Sequence, residues 1–128
     1  MHPVWVAQAV VLAIHDEQIA EHGGAAGVRD LGLLESALAR PQHLAAYEPE
    51  VDLAALAAAY AYGITRNHPF VDGNKRVALV VLELFPELNG HRLEAEDADC
   101  VVTFSALAAG DLSEEALADW VRERLTAV

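Results

Sequence analysis

The chain has 128 residues, 54% of them hydrophobic, and a formal net charge of -12, which fits one domain, 1–128, with a core able to fold without disulfides or structural metal. The negative charge and the lack of a basic stripe with interleaved aromatics argue against nucleic acid as a principal partner, leaving a basic protein or peptide partner or plain solubility. The longest early apolar run, Pro3 to Ile14, contains Gln8 and lacks a basic flank, so neither a signal peptide nor a membrane span is expected, and the lone Cys100 is expected as a buried residue of a cytoplasmic protein.

In chain order, Val4 to about His22 predicts a first helix stopped by Gly23-Gly24. The doublet His15-Asp16 invites a metal-hydrolase reading. It lacks the further ligands such a site needs, and His2, His22, His43 and His91 show no ligand spacing, so local hydrogen bonding is the simpler expectation. Gly27 to Arg29 is a loop, Asp30 an N-cap, and Leu31, Leu34 and Leu38 the core face of a second helix that Pro41 should end. Arg29, Asp30 and Glu35 either support a site or serve capping and surface ion pairing. Between Pro41 and Val51 a loop carrying Tyr47, Glu48, Pro49 and Glu50 could touch a protein substrate.

Asp52 to Asn67 reads as a third helix, with Asp52 as N-cap and Leu53, Leu56, Ala57, Tyr60, Ala61 and Ile64 as its apolar stripe. Pro69 should hold His68 extended and end that helix. Asp72-Gly73 is turn chemistry. The nearly all-apolar run Val77 to Phe85 is a buried helix rather than a strand, because it is rich in Leu and Ala and lacks period-2 alternation. Pro86 should kink or end it near Leu84 to Phe85. After an Asn89-Gly90 turn, His91 to Glu94 forms a short extended piece. Glu96-Asp97 start a helix with Val101, Phe104, Leu107 and Ala108 inward, closed by Gly110. Ser113 caps the last helix, with Leu117, Trp120, Val121 and Leu125 on one face. Six helices with short links predict an all-α bundle.

Chemistry concentrates in His68-Pro69-Phe70-Val71-Asp72-Gly73-Asn74-Lys75-Arg76, which contains the only lysine of the chain. His68 can accept a hydroxyl proton near neutral pH, since the unperturbed imidazole has a pKa of about 6.5. Asp72 can hold a nucleotide-bound Mg2+. Gly73 admits phosphate close to the backbone, and the following N–H groups and Asn74 can donate to it at a helix N-terminus. Lys75 and Arg76 would neutralise phosphate charge. Together these are the parts of a site that transfers a phosphorus group to a hydroxyl, although capping, turn formation and a solvated helix start could use the same residues. Phe70 is expected to anchor the loop in the core.

The stretch resembles the signature of the Fic/Doc family, which runs His, any, Phe, any, Asp/Glu/Asn, Gly/Ala, Asn, Gly/Lys, Arg. Ala13-Ile14-His15-Asp16, Gly27-Val28-Arg29-Asp30, Leu34-Glu35-Ser36-Ala37-Leu38 and Asn89-Gly90 are similar to the Doc branch, so the resemblance covers roughly Val10 to Leu125. It implies His68 as base, Asp72 as Mg2+ ligand, Gly73 and Asn74 as anion-hole residues, and Lys75 with Arg76 as phosphate-binding cations. Lysine at position 75 implies a protein kinase that moves the γ-phosphate of ATP, because the Fic branch has glycine there and transfers AMP. The Doc branch further implies a toxin of a toxin-antitoxin pair that phosphorylates a threonine of elongation factor Tu, arrests translation, and is restrained by a Phd-like antitoxin. The inhibitory helix of many Fic enzymes, Ser/Thr then three residues then Glu and Gly/Asn, is not found. Two departures are Val77, where the family often has threonine, and Pro86. The alternatives are an AMP transferase or a catalytically silent partner-binding module.

Overall fold

The computed structural model describes residues 2–128. Among these, six helices and two short strands follow one another: α1 (Gln8–His22), α2 (Leu31–Tyr47), α3 (Leu53–Asn67), α4 (Asn74–Leu88), β1 (His91–Leu93), α5 (Asp97–Ala108), α6 (Glu114–Arg122) and β2 (Leu125–Ala127). The all-α expectation holds, with the strands as a minor addition. No helix among the described residues is long and apolar enough to cross a membrane.

The centre of the bundle is α3. Ala54, Leu56 to Ala61, Gly63 and Ile64 are all buried, so this helix is covered on nearly every side by α2, α4 and α6. Small residues make that possible. A Cβ at Gly63 would lie 3.3 Å from the backbone of Ala37, so glycine there sets how closely α2 approaches. Asp52 caps the helix through Ala55 N–H at 3.0 Å, and Asp30 and Ser113 cap α2 and α6 in the same way, as their sequence positions predict. Phe85 of α4 joins Tyr60 and Trp5 in an aromatic cluster, with ring centroids 5.2 and 5.7 Å away. The buried Tyr60 hydroxyl accepts the Val6 N–H, which ties the segment before α1 to the core.

Several boundaries differ from expectation. The first helix begins at Gln8, not Val4, because Val4 is held outside it by Asn89, whose side-chain oxygen accepts the Val4 N–H and whose amide donates to the Val4 carbonyl. Neither proline ends its helix. Pro41 lies inside α2, which continues to Tyr47, and Pro86 inside α4, which continues to Leu88. Both rings are buried, so each lost backbone bond is offset by packing. The expected Pro41–Val51 loop therefore shrinks to Glu48–Asp52, and Tyr47 ends a helix as a residue 87% exposed. On α5 the inward residues are Cys100, Thr103, Phe104 and Leu107, whereas Val101 and Ala108 are exposed. Leu125 belongs to β2 rather than to α6. That strand pairs antiparallel with β1, His91 opposite Ala127 and Leu93 opposite Leu125.

Candidate active site

The nine-residue stretch spans the end of α3, a tight loop and the first turn of α4. His68 is the C-cap of α3, and its backbone lies in the left-handed region at φ 51°, ψ 54°. This overturns the expectation of an extended backbone before Pro69. It is the one non-glycine residue at positive φ among the described residues, and such a conformation costs about 1–3 kcal/mol. The neighbours that hold it come from the α1–α2 loop. Arg29 donates from Nε to the His68 carbonyl at 2.7 Å and from its other arm to the Asn67 carbonyl at 2.9 Å. The backbone N–H groups of Arg29 and Asp30 both donate to the Pro69 carbonyl, at 2.7 and 3.0 Å, and the Asn67 amide donates to Leu33. With its backbone so constrained, His68 projects an exposed imidazole.

Two residues on, the loop plunges into the core. Phe70 is fully buried and stacks on His15 of α1, with ring centroids 4.0 Å apart and planes 7° from parallel. Val28 and Phe70 form an antiparallel bridge, and the Val71 N–H donates to Gly27. Asn74 closes the loop from below: its side-chain oxygen accepts the Phe70 N–H at 2.9 Å and its amide donates to the Phe70 carbonyl at 3.0 Å. The side chain of Asn74, a buried residue, is thereby committed to the loop, leaving its backbone N–H for any anion at the helix start.

Asp72 is exposed and strongly oriented. One carboxylate oxygen accepts the Gly73 N–H at 2.8 Å, the other accepts the Ala25 N–H at 3.3 Å, and its carbonyl is bonded by His15 Nε2 at 2.9 Å. Those backbone N–H groups, Gly73 first and then Ala25, hold the carboxyl below its ordinary value of 3.8, with Arg76 and His15 adding in the same direction. The group is therefore a carboxylate throughout the neutral range. Gly24 makes room for it, since a Cβ at that position would lie 2.6 Å from the carboxylate.

Gly73, at φ 80°, is the N-cap of α4, and no side chain caps this helix. Its first N–H groups are left for an external acceptor, where the helix dipole favours an anion. The Arg76 Nη1 is buried with no hydrogen-bond partner, a donor that suits an anion at this helix start. Lys75 is exposed. A divalent cation fits this arrangement. Each oxygen of the Asp72 carboxylate accepts one N–H and keeps a further lone pair, which suits Mg2+ carried largely by phosphate oxygens and water.

A family model described as Fic/DOC family matches residues 5–86, which include the whole stretch. The chain belongs to the Fic/DOC family. It is 37% identical over 114 residues to a protein named Protein kinase doc from Escherichia phage P1, covering 88% of each chain. It is 44% identical over 78 residues to Toxin Doc of Mycolicibacterium smegmatis, covering 58% of each.

In the family stretch His68 lies two residues before and Asp72 two residues after the buried Phe70, with Gly73, Lys75 and Arg76 around the start of α4. Residues outside the stretch hold it there. His15 does not bond locally as expected; its partner is the carbonyl of Asp72, distant in sequence. Asp30 turns out to be a cap, Glu35 is exposed on α2, and Arg29 is a clamp. A buried-face histidine, a Gly-Gly pair and an arginine next to an N-cap carry these roles, but their spacing alone does not disclose the partner.

Proposed function

We propose that this chain is a Doc-type toxin of a toxin-antitoxin pair, acting in the cytoplasm as a protein kinase that transfers the γ-phosphate of ATP to a threonine hydroxyl of elongation factor Tu, and restrained by a Phd-like antitoxin. The observation that carries the reading is the identity with Protein kinase doc over 88% of both chains. In this reading His68 removes the proton of the acceptor hydroxyl as its oxygen attacks the γ-phosphorus and the bond to the bridging oxygen of ADP breaks. The backbone N–H of Asn74 at the N-terminus of α4, with Gly73 leaving room for close approach, and the side chains of Lys75 and Arg76 hold the phosphates and receive their developing charge. Mg2+ at Asp72 would neutralise phosphate charge and fix the oxygens for in-line transfer. The unpartnered Arg76 Nη1 supports an anion at this place.

Incubation of the purified chain with elongation factor Tu and ATP labelled at either the α- or the γ-phosphate tests this. Label from the γ position alone is expected. Label from the α position alone would replace the reading by AMP transfer. No label from either, with wild type and His68→Ala equally harmless to cells, would make the chain a silent partner-binding module.

A further inference from the structure

Beside the motif lies a groove of about 720 Å3 between α2 and α3, reaching the start of α6. Its floor is made of small residues, Ser36, Ala37 and Gly63. Tyr62 forms a wall, and its ring is flanked by two guanidinium groups, those of Arg40 at 5.3 Å and Arg66 at 5.5 Å from the ring centre. Arg66 also donates to the Tyr62 hydroxyl at 2.8 Å, and Arg40 pairs with Glu114. Two of the eight lysines and arginines of a chain with net charge -12 thus line one concavity, with His43 beside them and Glu114 as the only acid of the lining. One end of the groove adjoins the motif. Arg66 and Asn67 line the groove, and His68 follows directly, its carbonyl and that of Asn67 held by one Arg29 side chain. Beyond Tyr47 the surface turns acidic at Glu48 and Glu50.

We propose that this groove docks the protein substrate by an acidic stretch of polypeptide next to the acceptor hydroxyl. The charge argument selects the occupant. A basic segment would face Arg40 and Arg66, whereas carboxylates can take the guanidinium N–H donors that Tyr62 and Glu114 leave unused. The small side chains of Ser36, Ala37 and Gly63 leave room for the backbone of an extended chain. Held there, a chain leads its hydroxyl towards His68 from the α3 side, while the N-terminus of α4 holds the phosphates from the other. The proposal rests on the protein phosphotransferase reading and assigns its acceptor side.

The test uses the full chain without nucleotide and two fluorescent peptides of about ten residues, one alternating Glu with Gly and one alternating Lys with Gly, an extended reach of about 33 Å. The Glu peptide is expected to bind the tighter, and Arg40→Gln/Arg66→Gln to weaken it about tenfold while circular dichroism and the thermal midpoint show an intact fold. Added to the γ-label assay with elongation factor Tu, the Glu peptide should raise KM for the protein and leave KM for ATP unchanged. Equal binding of the two peptides, or unaltered binding by the double variant, overturns the groove. Selective, arginine-dependent binding with no label transfer would uphold the groove as an acidic-peptide site and retire the phosphotransferase reading instead.

Discussion

Replacing Arg29 by methionine, which keeps an unbranched apolar stem and removes the guanidinium donors, isolates the clamp on His68. The two bonds to the Asn67 and His68 carbonyls are made by an exposed side chain, so each is worth about 1 kcal/mol net, and their joint loss about 2 kcal/mol. The left-handed backbone of His68 opposes them with strain of about 1–3 kcal/mol. Shifting a held-against-released balance by about 2 kcal/mol changes its ratio about 30-fold, so kcat for phosphate transfer should fall by about 10- to 30-fold. The backbone bonds from Arg29 and Asp30 to Pro69 survive the change and bound the loss. Because the proposed phosphate site at the start of α4 makes no contact with Arg29, KM for ATP should stay within about twofold. Initial rates of γ-label transfer at saturating protein substrate give kcat directly. Wild-type kcat in Arg29→Met, or a loss seen only in KM for ATP, would refute the idea that this arginine positions the base.

Three further outcomes follow from the same geometry. His15→Phe keeps the stack on Phe70 but leaves the Asp72 carbonyl without its donor, which should lower the urea unfolding free energy by about 1–3 kcal/mol and reduce kcat. Lys75→Gly should weaken nucleotide binding or change which phosphorus is transferred; unchanged affinity and an unchanged transferred group, read with the α- and γ-labels, would remove lysine from the choice between them. Asp52 has its carboxyl held below the ordinary 3.8, first by Arg122 and then by its cap bond to Ala55, against burial. A depressed carboxyl stabilises the fold above its unfolded value and loses that stabilisation as pH falls through the lower folded one. Asp52→Asn should therefore be less stable than wild type at pH 7 and converge with it in strong acid. Asparagine caps about as well as aspartate, so what the variant loses is the Arg122 pair; with both partners 47% exposed the difference is limited to less than about 1 kcal/mol, and pH-dependent thermal midpoints will read it.

Local rules worked where the partner is local. The caps Asp30, Asp52 and Ser113 each bond within three residues, and the apolar stripe of α3 faces inward over its whole length, so those elements were legible from neighbours alone. The prolines misled because a local count of lost hydrogen bonds omits burial, and Pro41 and Pro86 are both buried. Val101 was placed inward by spacing alone, but the face of α5 that meets the core carries Cys100 and Phe104 instead. β2 could not be seen because a three-residue strand is defined by its partner β1, whose residues lie more than thirty positions earlier. The same holds at the site. The residues proposed to act are consecutive from His68 to Arg76; why His68 turns left-handed is not readable there, since the answer is a guanidinium from the α1–α2 loop.

That dependence bears on moving the motif elsewhere. A host protein given residues 68–76 between two of its own helices would receive the imidazole, the carboxylate and the cations, but neither the flat ring under Phe70 nor the glycine gap beside Asp72. Nor would it receive the guanidinium that pins the helix end. The smallest transferable piece runs from His15 through Leu33 and joins the motif as a second strand of the same graft. A nine-residue match in an unrelated fold, with nothing in those distant places, is better read as coincidence than as an enzyme.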